Sequence, residues 1–395
     1  MLKPNVVHDG RTTHIPHVKH SAEIQSLALY DPTGATSSAS SVARAVSDTS
    51  DENNVNVNGG GGGGDDDDEV RLASVDASGR ATVTTLGRNW MSDADMLSYA
   101  SASSSSSSSQ QYTLEPCAPG GTASSMSGWA GVCFNHAAPE SVAVARHFAK
   151  TLDVFDGDRR VRTMNTLLNP YSVAFVPTGG IGGGGAGRRG GEGVGNPGNG
   201  NGGVGGMIAI AEGNQLSLWD VRQSERGGCF KRITLANRGQ PMYTLTTGIS
   251  QGAGGGGGIQ VSKMSVGEPL IAAAGAERGV HVMDANRWSV IKRWPTAIKF
   301  EITLMEMSVA SPDHCFLAGL DYELICGCWS RQSIAGGFAF RGDSRWLGLS
   351  RAEGAFGGGG GGGGGGRGDI VAGWCESGNL FAARVERRRV SEEEA

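Results

Sequence analysis

The sequence predicts an all-β protein in which a unit of four short antiparallel strands recurs six or seven times. Three observations lead to this prediction. A hairpin pattern appears six times, another strand precedes each hairpin, and the units follow one another about 40 residues apart once the glycine runs are set aside. Glycine accounts for 66 of the 395 residues. The repeat therefore lies in the segments between the glycine runs.

Glycine is concentrated in four runs, at residues 59–64, 179–206, 252–258 and 357–366. Polyglycine buries no apolar surface and loses more backbone entropy on ordering than any other sequence, so we expect these runs to be mobile. We expect the same of the serine run at residues 103–109 and of the polar stretch at about residues 35–68. We predict one domain over 1–390, with disordered insertions at 35–69, 92–125, 179–206, 250–262 and 354–368 and a charged tail at 386–395.

Each hairpin consists of a small-residue strand, a tight polar turn and a second alternating strand. The hairpins cover residues 72–83, 142–156, 208–220, 271–284, 317–329 and 371–383. The preceding strands are predicted at 24–30, 130–135, 171–176, 242–246, 302–309 and 346–350. A fourth strand follows most hairpins, as at 229–234, 289–294 and 337–340. Four antiparallel strands per unit are typical of a propeller blade.

The two ends of the chain predict how the ring closes. The last hairpin ends near residue 385, and only the charged tail follows it, so the sixth unit lacks an outer strand. Residues 11–15 precede the first unit and have no partner of their own. We predict that they supply the missing strand and close the ring. A seventh unit is an open alternative at 87–128, where 112–114 is the one strand-like fragment.

The third hairpin ends in the sequence Leu-Trp-Asp-Val-Arg at residues 218–222, and Pro-Thr-Gly turns follow the strands at 24–30 and 171–176. These features resemble WD40 (transducin-like) repeats, and the resemblance covers about two thirds of the chain. It implies a WD40-like β-propeller of six or seven blades, closed by pairing of N- and C-terminal strands.

In that family a His, a Ser or Thr, an Asp and a Trp form a hydrogen-bonded set that rigidifies a blade. His20 and Ser74 match the first two positions in the first unit, where Thr84 replaces the Trp. Matches in other units, without the full set, are Trp219, Asp220 and Trp329. The resemblance implies structural roles for these matching residues.

Patterns for catalysis, metals and cofactors are weak. His8, His14, His17 and His20 are spaced too loosely for a zinc site, and Cys326 and Cys328 lack a second cysteine pair, so we expect the two cysteines to pack inside a blade. Glycine-rich phosphate motifs occur only by chance within the glycine runs. The sequence therefore predicts no catalytic residue, no metal and no cofactor.

Net charge and cysteine content bear on partners and location. The net charge is −5, which produces no field strong enough to favour nucleic acid or an anionic membrane. The seven cysteines lie in apolar segments, as reduced thiols do in the cytosol or nucleus. No apolar run is long enough to span a bilayer. We expect a soluble cytoplasmic or nuclear protein without nucleic acid as a direct ligand.

The predicted function is a non-catalytic scaffold or adaptor that binds other proteins. Trp, Tyr and Arg dominate interface hot spots, and four such residues beside turns are the candidate contacts: Tyr322, Trp346, Trp374 and Arg287. The same residue types also fill cores between blades. One alternative is a propeller enzyme with a central-channel site, for which Glu23, Glu301 and Arg345 are the candidates. Another is an RNA- or chromatin-associated protein acting through its basic patches.

Overall fold

The computed structural model describes residues 2–6, 20, 22–30, 70–86, 111–116, 127–176, 206–223, 228–249, 268–356 and 366–387. They form six sheets of four antiparallel strands, arranged as the blades of a propeller ring. The all-β prediction is confirmed. Blades are numbered in chain order of their innermost strands, and within each blade the strands are counted from the channel outward.

The strands follow one another along the chain as six hairpin-connected groups. Blade 6 takes β1 (Leu2–Val6) as its outermost strand. Blade 1 contains β2 (Ile24–Tyr30), β3 (Val70–Asp76), β4 (Ala81–Leu86) and β5 (Gln111–Leu114); blade 2 contains β6 (Ala130–Asn135), β7 (Ala138–Arg146), β8 (Thr151–Asp156) and β9 (Arg159–Asn165); blade 3 contains β10 (Pro170–Phe175), β11 (Met207–Glu212), β12 (Gln215–Asp220) and β13 (Cys229–Thr234). Blade 4 contains β14 (Met242–Ile249), β15 (Pro269–Gly275), β16 (Val280–Asp284) and β17 (Ser289–Trp294); blade 5 contains β18 (Ile302–Met307), β19 (His314–Gly319), β20 (Glu323–Cys328) and β21 (Ser333–Arg341); blade 6 is completed by β22 (Trp346–Phe356), β23 (Gly366–Cys375) and β24 (Leu380–Arg387).

Two predicted insertions contain paired strand. Gln111–Leu114, inside the range 92–125, is the outer strand of blade 1, and Leu114 is fully buried between blades 1 and 2. The hairpin of blade 6 stays paired as far as Phe356 and Gly366, inside the range 354–368. Main-chain pairing needs no side chains, so glycine content alone does not mark where a strand ends. Apart from residues 115, 116 and 206, the remaining parts of the predicted insertions lie outside the described residues.

The segment that pairs at the N-terminus differs from the prediction. Leu2–Val6 lies antiparallel to β24, with Leu2 opposite Arg387 and Val6 opposite Ala383. Residues 11–15, which were expected there, lie outside the described residues. The last strand also extends to Arg387, into the range assigned to the charged tail. Within the described part of the chain there are six blades and no seventh.

Five apolar cores each join two successive blades, from blades 1 and 2 to blades 5 and 6. Alanines of the second strands, such as Ala143 and Ala273, are fully buried and allow neighbouring sheets to pack closely. No comparable core joins blade 6 to blade 1 among the residues described. There Leu27 and Leu29 of β2 and Trp374 of β23 are exposed.

The connections alternate between the two rims of the ring. Each inner strand leads to its second strand at one rim, and each second strand turns into its third at the other. All four glycine runs and the serine run join strands that end at the first rim, which we call the insertion rim. At the opposite rim, the turn rim, second and third strands are joined by two to four residues. The connections that contain the glycine runs and the serine run thus all belong to one rim.

Gly319 occupies a position where the turn-rim backbone of the same blade comes very close. A Cβ at this residue would lie 2.0 Å from the Glu301 carbonyl oxygen and 3.0 Å from the Glu301 carbonyl carbon. We expect Gly319→Ala to lower the free energy of unfolding by about 2–3 kcal/mol, because backbone must shift to make room. Urea unfolding measures this change. Gly279→Ala is the control, since its Cβ meets nothing closer than 3.3 Å; equal losses in both variants would contradict the close-packing explanation.

Candidate protein-interaction face

The turn rim of blade 1 is fixed by a buried polar cluster of His20, Ser74 and Asp76. The Ser74 hydroxyl lies 2.6 Å from His20 Nε2, and His20 Nδ1 lies 3.3 Å from Asp76 Oδ2. The second carboxylate oxygen of Asp76 accepts hydrogen bonds from Ser78 and from the Arg80 amide. This cluster joins the connection before β2 to the turn after β3. His20 and Ser74, chosen from the sequence, therefore meet in space.

The order serine, histidine, aspartate is also that of the serine-hydrolase triad. Ser74 and Asp76 are, however, fully buried, and the Asp76 carboxylate is engaged by its own turn. A substrate carbonyl has no access to a hydroxyl in that position. The cluster thus stabilises the rim instead of presenting a nucleophile.

Asp76 gives the blade 1 cluster a pH dependence. Burial acts to raise its pKa, but the hydrogen bonds from Ser78, His20 and Arg80 together outweigh burial, so the pKa lies below the ordinary 3.8. A carboxyl group whose pKa is lowered by folding stabilises the folded protein at pH values above the pKa of the unfolded state. That contribution is lost as the pH falls through the pKa of the folded state. We expect Asp76→Asn to cost about 1–3 kcal/mol at pH 7 and less near pH 3. Urea unfolding at pH 7 and at pH 3 measures this difference, with Asp158→Asn, a change at an exposed carboxylate, as the control. An equal cost of Asp76→Asn at the two pH values would contradict the stabilising role of the ionised Asp76 carboxylate.

Two further blades carry a buried charged residue at the position of Asp76, the last residue of the second strand. Glu212 of blade 3 is fully buried and accepts hydrogen bonds from the Leu167 and Leu168 amides at 3.0 and 3.2 Å. Arg146 of blade 2 pairs with the buried Asp153, 3.4 Å away. A histidine-based set does not predict these residues, because the side chain at this position differs from blade to blade.

The tryptophans predicted for structural roles are buried but complete no four-residue set. Trp219 donates its Nε1–H to Ser217 on its own strand, and Trp329 donates to the Pro312 carbonyl. Asp220 accepts hydrogen bonds from the side chain and amide of Arg222. Thr84 is buried at the third strand of blade 1.

Large apolar side chains are exposed along the turn rim, between 43 and 59% of their surface. They lie in connections of blades 2, 4 and 5: Phe148, Leu167, Phe300, Leu320 and Tyr322. In the described part of the insertion rim, no connection carries an exposed large apolar side chain. Exposed apolar groups collected on one face mark interaction surfaces.

An aromatic row leads from this rim toward the central channel. Phe148 meets His147 edge to face at 4.8 Å between ring centroids, His147 meets Tyr171 at 4.7 Å, and Tyr171 meets Tyr243 at 5.5 Å. Tyr171 and Tyr243 are the extra residues of bulges at the start of their inner strands. A bulge re-aims its side chain out of the ladder.

The polar groups of the aromatic row are held in place. His147 lies 3.0 Å from the Pro170 carbonyl through Nδ1 and 2.9 Å from the Asn169 amide nitrogen through Nε2. Burial, together with the charge and hydrogen bonding of Glu301, raises the pKa of Tyr243 to about 12. Tyr243 is therefore uncharged at neutral pH.

The four residues predicted as contacts fall in different environments. Tyr322 and Trp374 are exposed at or near the turn rim. Arg287 is exposed beside Asp284 at the insertion rim. Trp346 is 2% exposed and packs between blades 5 and 6, donating its Nε1–H to the Tyr322 carbonyl. Its burial places it beneath the surface that carries Tyr322.

Those candidates for metal binding or channel chemistry that belong to the described residues lie at separate places in the ring. His8, His14 and His17 lie outside the described residues, and His20 belongs to the blade 1 cluster. Arg345 pairs with Glu376 at 3.6 Å on the turn rim, and Glu301 contacts Tyr243. Cys326 is buried in the core between blades 5 and 6, as predicted.

Sequence reasoning missed a buried carboxylate that joins two blades. Asp369 of β23 is fully buried and accepts hydrogen bonds from the Ser308 hydroxyl, the Val309 amide and the Ala310 amide at 2.5, 2.9 and 3.3 Å. The donors belong to the connection after β18, so the contact ties blade 6 to blade 5. The sequence did not predict this contact, because an aspartate next to a glycine run has the composition of a linker.

No protein-family model matches this chain, and no curated protein matches it either. Nowhere in the described ranges is a helix long and apolar enough to cross a membrane.

Proposed function

We propose that this protein is a non-catalytic, WD40-like scaffold that binds partner proteins through its turn rim. The observation that carries the proposal is the concentration of exposed apolar side chains in the connections of this rim, opposite the rim at which the strands flanking the glycine runs end. A propeller also gives such a face a rigid base.

Preorganisation supports the proposal. Asp76 and Glu212, both fully buried, hold turn-rim backbone by hydrogen bonds. Short turns held in this way lose little conformational entropy when a partner binds, which favours affinity. Phe148 and Leu167, exposed beside these anchored segments, are suited to act as apolar anchors.

The chemistry of the rim indicates the kind of partner. The ammonium group of Lys299 lies 5.2 Å from the centroid of the Phe300 ring, and the Arg341 guanidinium lies 5.8 Å from that of Tyr322. An aromatic ring beside a cation suits a protein surface that carries apolar and acidic side chains.

We also propose that the ring is closed and that the protein resides in a reducing compartment. Pairing of Leu2–Val6 with β24 supports closure, since the outer strand of the last blade then leads directly into blade 1. The six cysteines in the described residues are free thiols, which fits a cytoplasmic or nuclear setting.

The glycine runs provide the first test of the proposal. We expect variants in which residues 179–205 and 357–365 are each replaced by a short Gly-Ser linker to retain the partner set captured from native lysate, because the strands that flank these residues end at the opposite rim. Quantitative mass spectrometry of the captured proteins measures this. Loss of the partners from correctly folded variants would assign binding to the insertion rim.

A further inference from the structure

Three side chains with metal-ligating atoms meet at the insertion rim of blade 5. Asp313 ends the connection before β19, His314 begins β19, and Cys328 ends β20 directly opposite His314. Asp313 Oδ1 lies 2.8 Å from His314 Nδ1, and Asp313 Oδ2 lies 3.3 Å from Cys328 Sγ. One ligand atom from each residue lies within 4.8 Å of the others.

The corresponding positions of other blades show that this set is more than ordinary turn chemistry. In blades 3 and 4 the last residue of the third strand is an aspartate, Asp220 or Asp284, which caps the following turn. The residue opposite is Met207 in blade 3 and Leu270 in blade 4. Blade 5 instead has a thiol at the capping position and adds an imidazole opposite it and a neighbouring carboxylate.

His314 gives an independent indication of a ligand. It is 6% exposed. Its Nδ1 faces Asp313, but its Nε2 is buried and has no hydrogen-bond partner. A buried polar atom without a partner is costly. A cation bound at Nε2 would give this atom a partner, while Nδ1 keeps its contact with the Asp313 carboxylate.

Two polar side chains approach the sulfur of Cys328. Arg331 Nε lies 3.4 Å from the sulfur, and the Ser330 hydroxyl lies 3.1 Å from it. Donors of this kind around a metal-bound sulfur stabilise the thiolate and orient it. The Trp329 amide donates to the Asp313 carbonyl at 2.9 Å, which holds the two turns together.

We propose that Asp313, His314 and Cys328 form a binding site for a thiophilic divalent cation of the zinc type. One sulfur, one nitrogen and one oxygen ligand match the preferences of Zn²⁺ and leave a fourth position for water. On binding, the Cys328 thiol gives up its proton to solvent, and the metal–sulfur bond replaces the S–H bond. The proposal goes beyond the sequence-based expectation that Cys328 packs inside a blade, and it does not depend on the proposed partner face.

Cobalt titration tests the site with a spectroscopic readout. The full chain, treated with a chelator and kept reduced, is titrated with Co²⁺ and then with Zn²⁺. We expect a sulfur-to-cobalt charge-transfer band that saturates at one equivalent and disappears when Zn²⁺ is added. Zn²⁺ should also raise the melting temperature. Absence of the band from the folded protein would overturn the proposal and leave a thiol that donates a hydrogen bond to Asp313.

Three variants assign the band to these residues. Cys328→Ser should abolish the band, whereas Cys229→Ser, a control at a half-buried thiol of blade 3, should keep it. Asp313→Asn changes a half-exposed side chain and should weaken Co²⁺ binding about 10-fold or more. Retention of the band in Cys328→Ser, or unchanged affinity in Asp313→Asn, would refute the site.

Discussion

Replacing Asp369 with alanine is expected to lower the free energy of unfolding by about 3–5 kcal/mol, the range seen when one partner of a buried charged contact is removed. Three donors, the Ser308 hydroxyl and the Val309 and Ala310 amides, lose their acceptor in this variant. The side chain is fully buried, so water cannot replace the lost bonds without entering the space between blades. The connection after β18 should loosen, and blade 6 should separate from blade 5 more readily.

Urea unfolding and amide hydrogen exchange measure this effect. Asp343→Ala is a matched control, because Asp343 also accepts several hydrogen bonds, from Ser377, Asn379 and Ser344, but does so in an exposed position. The control should cost only a small fraction of the loss at Asp369. A loss at Asp369 no larger than that of the control would show that blades 5 and 6 are held by their apolar core alone.

Replacing Phe148 or Tyr322 with alanine is expected to weaken partner binding by about 30-fold each, the effect of losing an interface hot spot worth about 2 kcal/mol. Both side chains are exposed on the turn rim, so neither removal opens a cavity in a core. The melting temperature should therefore stay within the error of the unmodified protein. Titration calorimetry with the purified partner measures the affinity.

Val161→Ala and Ile334→Ala are the controls for these variants. Their side chains are about as exposed but lie on the outer strands of blades 2 and 5. They should leave the affinity unchanged. Equal losses at rim and outer strands would indicate a partner that wraps the circumference, and no loss at the rim would remove the basis of the proposed function.

The sequence allowed most strands to be predicted, because alternation and turn chemistry act locally. The predictions for β2, β6, β13 and β17 match the structure at both ends. The N-terminal strand was placed wrongly because pairing between chain ends depends on a register that local pattern does not encode. The glycine-flanked ends of β22 and β23 were missed because backbone pairing there has no side-chain signature.

Less of the candidate site could be predicted. Tyr322 was chosen by residue type, but its exposure depends on the fold, as does the burial of Trp346, chosen for the same reason. Phe148 and Leu167 were missed, since an apolar residue beside a turn looks the same whether it faces a neighbouring blade or solvent. The choice of rim became possible only when the topology placed all the glycine runs on one side.

Photo-crosslinking from defined positions tests the partner face most directly. A photoreactive phenylalanine analogue is placed at position 148 or 322 on the turn rim, or at position 334 on an outer strand, and native lysate is irradiated. If the turn rim is the interaction face, we expect the same partner to be crosslinked from both rim positions and not from position 334. A partner crosslinked from position 334 but from neither rim position would contradict the assignment of the turn rim as the interaction face.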